Sequence, residues 1–292
     1  MTPRLRRFAL TLTALFSAAS ALAPSVASAS MGDKDVARMV SFGGACAKCE
    51  LSGRKLNGAQ FVGANFAGAA LVGSDLRDAR FMGANFSGAD LSRADLSDAQ
   101  MVGSNFSHAV LADARLRSVE AKGVNFSSAN LARADLRDAE AAGSNFSRAN
   151  LTDARLQATE MPAANFSKTN ARGANFRDSA MTGAIFTAGA FENASFRDAD
   201  LSAANLTGAT FAGADFRGAS LNAANIIGVD LSRVRGLEQD QLDDACADAS
   251  TRVPSGLVAK GCRGGPRVRY AAPAPPRAPA PPAAPRYLVQ VD

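Results

Sequence analysis

The sequence predicts an all-β solenoid, a chain wound into a square coil with five residues to a side and about nine coils of 20 residues. Three observations predict it. From Leu51 to Leu231, the 37 positions whose numbers end in 1 or 6 hold Leu, Phe, Met or Ile 34 times, with Ala121, Ala141 and Ala171 as the exceptions, and all 14 Phe residues of that span fall among them. A second register two residues upstream, Arg54 to Val229, holds Ala at 25 of its 36 positions. Residue types also recur at intervals of 20: Asn65, Asn85, Asn105, Asn125, Asn145 and Asn165 each precede a Phe, and Gly63, Gly83, Gly103, Gly123 and Gly143 mark one corner. A period of five matches neither the helix nor the strand. One large and one small inward position in every five leaves three for solvent, which suits a side that turns at each corner.

The elements follow in chain order. Residues 1–29 read as a signal segment, with Arg4, Arg6 and Arg7 ahead of an apolar run from Phe8 to Leu22 and a small-x-small cleavage site at Ala27-Ser28-Ala29. The run is too short and too interrupted to span a membrane, and the surroundings of Arg6-Arg7 fit a twin-arginine signal poorly. The expectation is an exported, periplasmic or secreted chain cleaved near Ala29, with no transmembrane span in the mature protein. Residues 30–50 are expected to cap the solenoid, with Asp33 starting a brief helix through Val40 and a CxxC at Cys46 and Cys49.

Residues 51–235 carry the coils. The large register stacks into a core ladder of Phe66, Phe86, Phe106, Phe126, Phe146 and Phe166 on one corner and Leu71, Leu91, Leu111 and Leu131 on another. The Asn column, Asn65 to Asn165, forms a surface ladder beside Ser87, Ser107, Ser127, Ser147 and Ser167. Coils stacked at strand spacing, about 4.8 Å, give a rod about 45 Å long. A local irregularity without a break is expected over 161–180, where Pro162 takes a corner and Ala171 a large core position, and the Asn column is interrupted at Ile185.

These units, Ala-(Asp/Asn)-(Leu/Phe)-x-x, resemble the pentapeptide-repeat family over 51 to about 235. The resemblance implies a right-handed quadrilateral β-helix. Residues 236–262, with Leu237, Leu242 and Cys246 on a short amphipathic helix from about Glu238, then Val253-Pro254 and the late Cys262, look like the tail of exported members. Such a cap covers apolar side chains and unpaired backbone at an open end.

The four cysteines form two local pairs, Cys46 with Cys49 and Cys246 with Cys262. A CxxC invites half a zinc site, a redox dithiol or haem attachment. Haem attachment needs a His where Glu50 stands, and a four-cysteine zinc site would draw ligands from opposite ends of the rod to within about 2.3 Å of one metal. A redox motif belongs to a βαβ setting absent here. Two disulfides stapling the ends in an oxidising compartment are the favoured reading.

The overall charge of +5 is unevenly distributed. The three arginines of 1–29 account for +3, residues 263–292 hold five Arg and one Asp, and 30–262 is left at −2. That balance argues against a basic nucleic-acid surface and against an acidic DNA mimic alike. The tail is Pro/Ala-rich, spaced by Arg263, Arg267, Arg269, Arg277 and Arg286 and closed by Tyr287-Leu288-Val289, a composition for an extended spacer or docking arm rather than a core. Arg267, Arg269, Arg277 and Arg286 are the candidate contacts to an envelope protein or an anionic polymer.

No catalytic constellation is present. The one histidine, His108, is expected at an outward corner, and no cofactor site is legible. The Asn-Phe-Ser sequons from Asn85 to Asn165 are explained by the 20-residue stacking. The leading expectation is an exported, non-enzymatic scaffold or interaction protein. The alternative comes from the resemblance, since some members are dimeric DNA mimics that bind type II topoisomerase; a homodimer through the C-terminal end would here meet the capping helix and tail.

Overall fold

In the computed structural model residues 43–262 are described; the signal segment expected over 1–29, the helix expected from Asp33 and the basic tail with Arg267, Arg269, Arg277 and Arg286 lie outside the described residues. The described chain is a right-handed quadrilateral β-helix of the kind expected. Ala45 bridges to Asn65, Asn65 to Asn85, and so on in parallel at intervals of 20 on all four sides, as far as Asp215 to Arg235.

One side shows how five residues satisfy their own backbone. Asn85 N–H donates to Ala64 O of the preceding coil at 2.8 Å, and Phe86 N–H donates to Asn105 O of the next at 2.7 Å. Ser87 N–H donates to the Asn85 side-chain Oδ1 at 3.1 Å. Gly88 N–H reaches Ser107 O at 2.9 Å, and Ala89 N–H closes the turn on Phe86 O at 3.0 Å. All five donors are paired, as burial of a backbone demands. The motif's preference for Asn or Asp follows: that side chain accepts the one corner N–H that no carbonyl reaches, an Asx-turn. The fourth residue has positive φ at every corner from Lys48 to Gly228, among them Gly83 at 63° and His108 at 59°.

The inward positions make a dry core. Phe66, Phe86, Phe106, Phe126, Phe146 and Phe166 are at most 1% exposed, and neighbouring rings stack with centroids 4.7 to 5.5 Å apart. Leu71, Leu91, Leu111 and Leu131 are fully buried on the next corner. Ala121 is buried as well, and the small positions on either side of it are enlarged to Val119 and Val124, restoring volume. Gly189 replaces the usual Ala because an added Cβ there would lie 2.5 Å from the Phe191 ring.

Three features differ from the sequence expectation. The rows begin upstream of Leu51: Ala45 already bridges Asn65, and Cys46, 2% exposed, takes the large core position under Phe66. Cys49 N–H closes on Cys46 O at 3.2 Å with Lys48 at φ 58°, so the CxxC is itself the first corner. The irregularity expected over 161–180 does not occur, since Glu160 bridges Ala180 and Asn165 bridges Ile185 in step. Pro162 sits second in a turn closed by Ala164 N–H on Met161 O, with Ala163 at φ 56°. Its fixed φ suits that position, and the N–H it lacks is the one the ladder never uses.

At the far end the interval slips. Asn225 bridges Cys246 and Asp230 bridges Arg252. The extra residues form the one helix among those described, α1 (Gln239–Asp243), started by a capping box of Glu238 and Gln241. Leu242 buries completely, and Gln241 Nε2 donates to Ala219 O, which has no further coil to bond, at 2.6 Å and to Phe216 O, which already accepts its corner N–H from Ala219, at 2.8 Å.

Two substitutions separate the core's two demands. Phe126→Ala is expected to lose about 3–5 kcal/mol in chemical denaturation, through lost transfer energy and a cavity in the stack. Gly189→Ala is expected to lose about 1–3 kcal/mol by overpacking against Phe191.

Candidate interaction faces

The solenoid offers faces rather than a cleft. Columns ten residues apart stand half a coil apart, so the Asn column and the column Asp75, Asp95, Arg115, Asp135, Arg155 lie on opposite sides.

On the Asn side the amides form the expected ladder: Asn85 Nδ2 donates to Asn65 Oδ1 at 3.1 Å, Asn105 to Asn85 at 3.3 Å, Asn125 to Asn105 at 3.1 Å and Asn145 to Asn125 at 3.3 Å. Each Oδ1 also accepts its own corner N–H, as Asn165 does from Ser167 at 2.9 Å. From Ala45 to Asn225 this bridging column holds no charged residue. A second ladder on the adjoining side, Asn150 to Asn130 at 3.1 Å and Asn170 to Asn150 at 3.5 Å, escaped the sequence reading although the same 20-residue recurrence marks it. His108 is exposed at its corner.

The opposite side concentrates charge and pairs it. Arg77 forks onto Asp75 at 2.9 and 2.8 Å, Arg137 onto Asp135 at 2.7 and 2.5 Å, and Arg217 onto Asp215. The spacing is the motif's own, since an Arg two residues after the column Asp reaches back over the corner. At the neighbouring corner Arg133 forks onto Asp113 with both bonds at 2.7 Å. The guanidinium of Arg77 holds the Asp75 carboxyl below its ordinary value, and those of Arg133 and Arg217 do the same for Asp113 and Asp215. Exposed pairs of this kind contribute about 0–1 kcal/mol each. Asp215, 6% exposed, is the enclosed one. An open depression lined by Asp113, Arg115, Arg133, Asp135, Asp153 and Arg155 is therefore a patch of alternating charges.

The cysteines lie at the two ends, joined as Cys46–Cys49 and Cys246–Cys262. No group of three or more potential metal ligands occurs among the described residues, and no helix among them is long and apolar enough to cross a membrane.

Two family models match the chain: pentapeptide repeats over 46–83, 59–98, 149–187, 159–198 and 199–235, and a pentapeptide repeat region over 89–166. Together they run through 46–235 without a gap, and the chain belongs to the pentapeptide repeat family. No curated protein matches it in sequence. Among solved structures it is similar to HetL, a pentapeptide repeat protein involved in heterocyst differentiation regulation from the cyanobacterium Nostoc sp. strain PCC 7120, at 22% identity and a TM-score of 0.47, over 78% of this chain and 99% of that one. It is also similar to full-length QnrB1, a plasmid-mediated fluoroquinolone resistance protein, at 19% identity and a TM-score of 0.23, over 70% of this chain and 94% of that one. A third similarity is to a pentapeptide repeat protein of the Arabidopsis thaliana thylakoid lumen, at 24% identity and a TM-score of 0.17, over 47% and 70% of the two chains. None of the matching families is catalytic.

A carboxyl held below its unfolded value stabilises the fold above that value, about 3.9, and the contribution is lost as pH falls through the folded value. Arg217→Gln removes the main cause of the depression at Asp215. Acid unfolding followed by circular dichroism is expected to begin at a higher pH than in the parent. At neutral pH the variant is expected to be about 1–3 kcal/mol less stable, because an enclosed carboxylate has lost its partner.

Proposed function

We propose that this chain is a non-enzymatic interaction or scaffold protein of the cell envelope, exported through the signal segment read in residues 1–29. The observation that carries the interaction reading is the division of labour in cross-section. Among the described residues the inward positions are filled by stacked Phe, Leu and Ala with no enclosed room for a substrate, while the outward positions form fixed, regular columns with charge concentrated opposite the Asn side. Such a body sets distances and presents surfaces. The export reading rests on the sequence of 1–29, and the arginines of 263–292 are the candidate contacts to an envelope protein or an anionic polymer.

The topoisomerase-binding alternative needs an acidic face, whereas the carboxylates of the charged side face arginines, as in Asp75 with Arg77 and Asp135 with Arg137. The purified mature chain is expected to leave gyrase supercoiling unchanged, and inhibition or protection there would move the protein to that class. Crosslinking in the native envelope, with the full chain and with a chain ending at Cys262, is expected to trap a partner that the shorter chain loses. Intact mass without reductant is expected to show a start near Ser30 and four blocked thiols; a start at Met1 with free thiols would remove the export reading.

A further inference from the structure

One side of the solenoid carries no acid. The Asn side and its two corners take residues 43–48, 62–68, 82–88 and so on at intervals of 20 to 222–228, and none of these is Asp or Glu. The carboxylates of the coils, from Glu50 to Asp230, all stand elsewhere. The acid-free surface ends only at the cap, where the exposed Asp244 and Asp248 flank Cys246.

The charges on this side are cationic. Lys48, Arg148 and Lys168 are exposed at the corner after the Asn column, in line with His108. Lys122 stands at the corner before it and reaches Glu120 and Glu140 of the adjoining side at 3.3 and 2.6 Å. Lys48, Arg148 and Lys168 hold φ of 58°, 58° and 59°, a conformation unfavourable to a long side chain. Arg148 and Lys168 also stand on neighbouring coils, about 4.8 Å apart at strand spacing. Neither has an ion-pair partner among the described residues. Arg133 takes the same conformation at the next corner but forks onto Asp113. The fold itself gains nothing from two unpaired cations side by side.

Apolar surface lies along the other corner. Met82, 45% exposed, is the large apolar side chain of the coils that stands most in solvent, and Val62 and Val102 are half-buried on the coils to either side of it. Between the two corners, each Asn of the ladder spends one amide hydrogen on its neighbour and keeps the other.

We propose that this side is a docking face for an anionic phospholipid bilayer, on which the solenoid lies lengthwise. Anionic headgroups attract Lys and Arg held near the surface, and apolar side chains at the same level add area to bury. A bilayer is a plane that meets the whole side at once, so a carboxylate anywhere on that side would be repelled. An acidic peptide would need only a local patch clear of acids, and a nucleic acid would need a denser basic stripe. The inference goes beyond the envelope reading and does not rest on it, since all of its side chains lie in the solenoid.

The test uses the mature chain, Ser30 to Asp292, because the apolar run of 1–29 would bind lipid by itself. Flotation with vesicles of phosphatidylglycerol and phosphatidylcholine in equal parts is expected to show binding at least about tenfold tighter than to phosphatidylcholine alone, with the difference shrinking as salt rises. R148E/K168E is expected to lose at least about tenfold of that affinity, whereas R93E/R155E, the same change of charge on other sides, loses less than about threefold. The chain has no Trp. In M82W the only indole is expected to shift its emission to shorter wavelength on the anionic vesicles, and in A112W, half a coil away, to stay unshifted.

Absence of binding to the anionic vesicles would overturn the proposal, as would equal losses in the two charge variants or an emission shift in A112W. So would complete loss of binding in R267Q/R269Q/R277Q/R286Q, which would assign the attraction to the tail. Heparin binding that R148E/K168E weakens, without vesicle binding, would replace the bilayer with a soluble anionic polymer. Should R148E/K168E lack the parent's far-ultraviolet circular dichroism, R148Q/K168Q is read instead, with an expected loss of at least about threefold.

Discussion

The solenoid depends on one conformational demand, the left-handed residue at each corner. With φ near +60° that residue turns the chain and aims its own N–H along the axis, as His108 does toward Ser127 O at 3.0 Å. A side chain there costs about 1–2 kcal/mol unless the residue is Gly or a short polar type. Most corners meet this with Gly, as at Gly63 and Gly83, or with Asp, as at Asp78 and Asp138, while others, such as Arg93, Ala158 and Lys168, carry the cost. If a corner failed, the next large residue would leave its column, the Phe stack would lose a ring, and the side-chain acceptor before it would lose its N–H. Packing, ladder and surface columns therefore all follow from the same repeated turn.

Because this demand is local and repeated, most of the fold was legible in the sequence. The five-residue register identifies the buried positions, and the 20-residue recurrence identifies which of them stack. Legibility failed where the pattern was carried by unusual residues. Cys46 and Cys49 stand in the large and small registers, yet a cysteine pair is legible by its chemistry before its position, which sets the expected start of the coils too late. Pro162 suggested distortion, and only the hydrogen-bond accounting of a side shows that its missing N–H has no role in the ladder. The arginine forks are not legible from adjacency, because Arg77 bonds Asp75 across the corner rather than its chain neighbour Asp78. The slip in interval after Asn225 comes from an inserted helix, and spacing alone does not say where an insertion will fold.

The faces differ because the interior constrains them unequally. Where the residue before a large position supplies the corner acceptor, Asn and Asp serve equally, as at Asn85 and Asp90. A column of Asn adds amide-to-amide bonds between coils, whereas a column of Asp would repel itself. The charged side handles its carboxylates by placing Arg two residues later or in the next coil, as Arg115 does toward Asp95 at 3.6 Å. One side is thus cohesive and neutral, and the other ionic and salt-sensitive.

The square cross-section also separates what can be changed in length from what can be changed in surface. Removing one whole coil would leave every column on its own side and shorten the body by one storey. Removing five residues would leave the register of large and small inward positions intact, yet rotate everything downstream by a quarter turn. The Asn column would then run into a charged one, and pairs that join coils across the deletion, such as Arg133 with Asp113, would part. For the lineage of such a chain, the coil is the heritable word and the five-residue side only a letter: single sides can be rewritten by substitution, but growth and loss that preserve a binding face must come in whole turns.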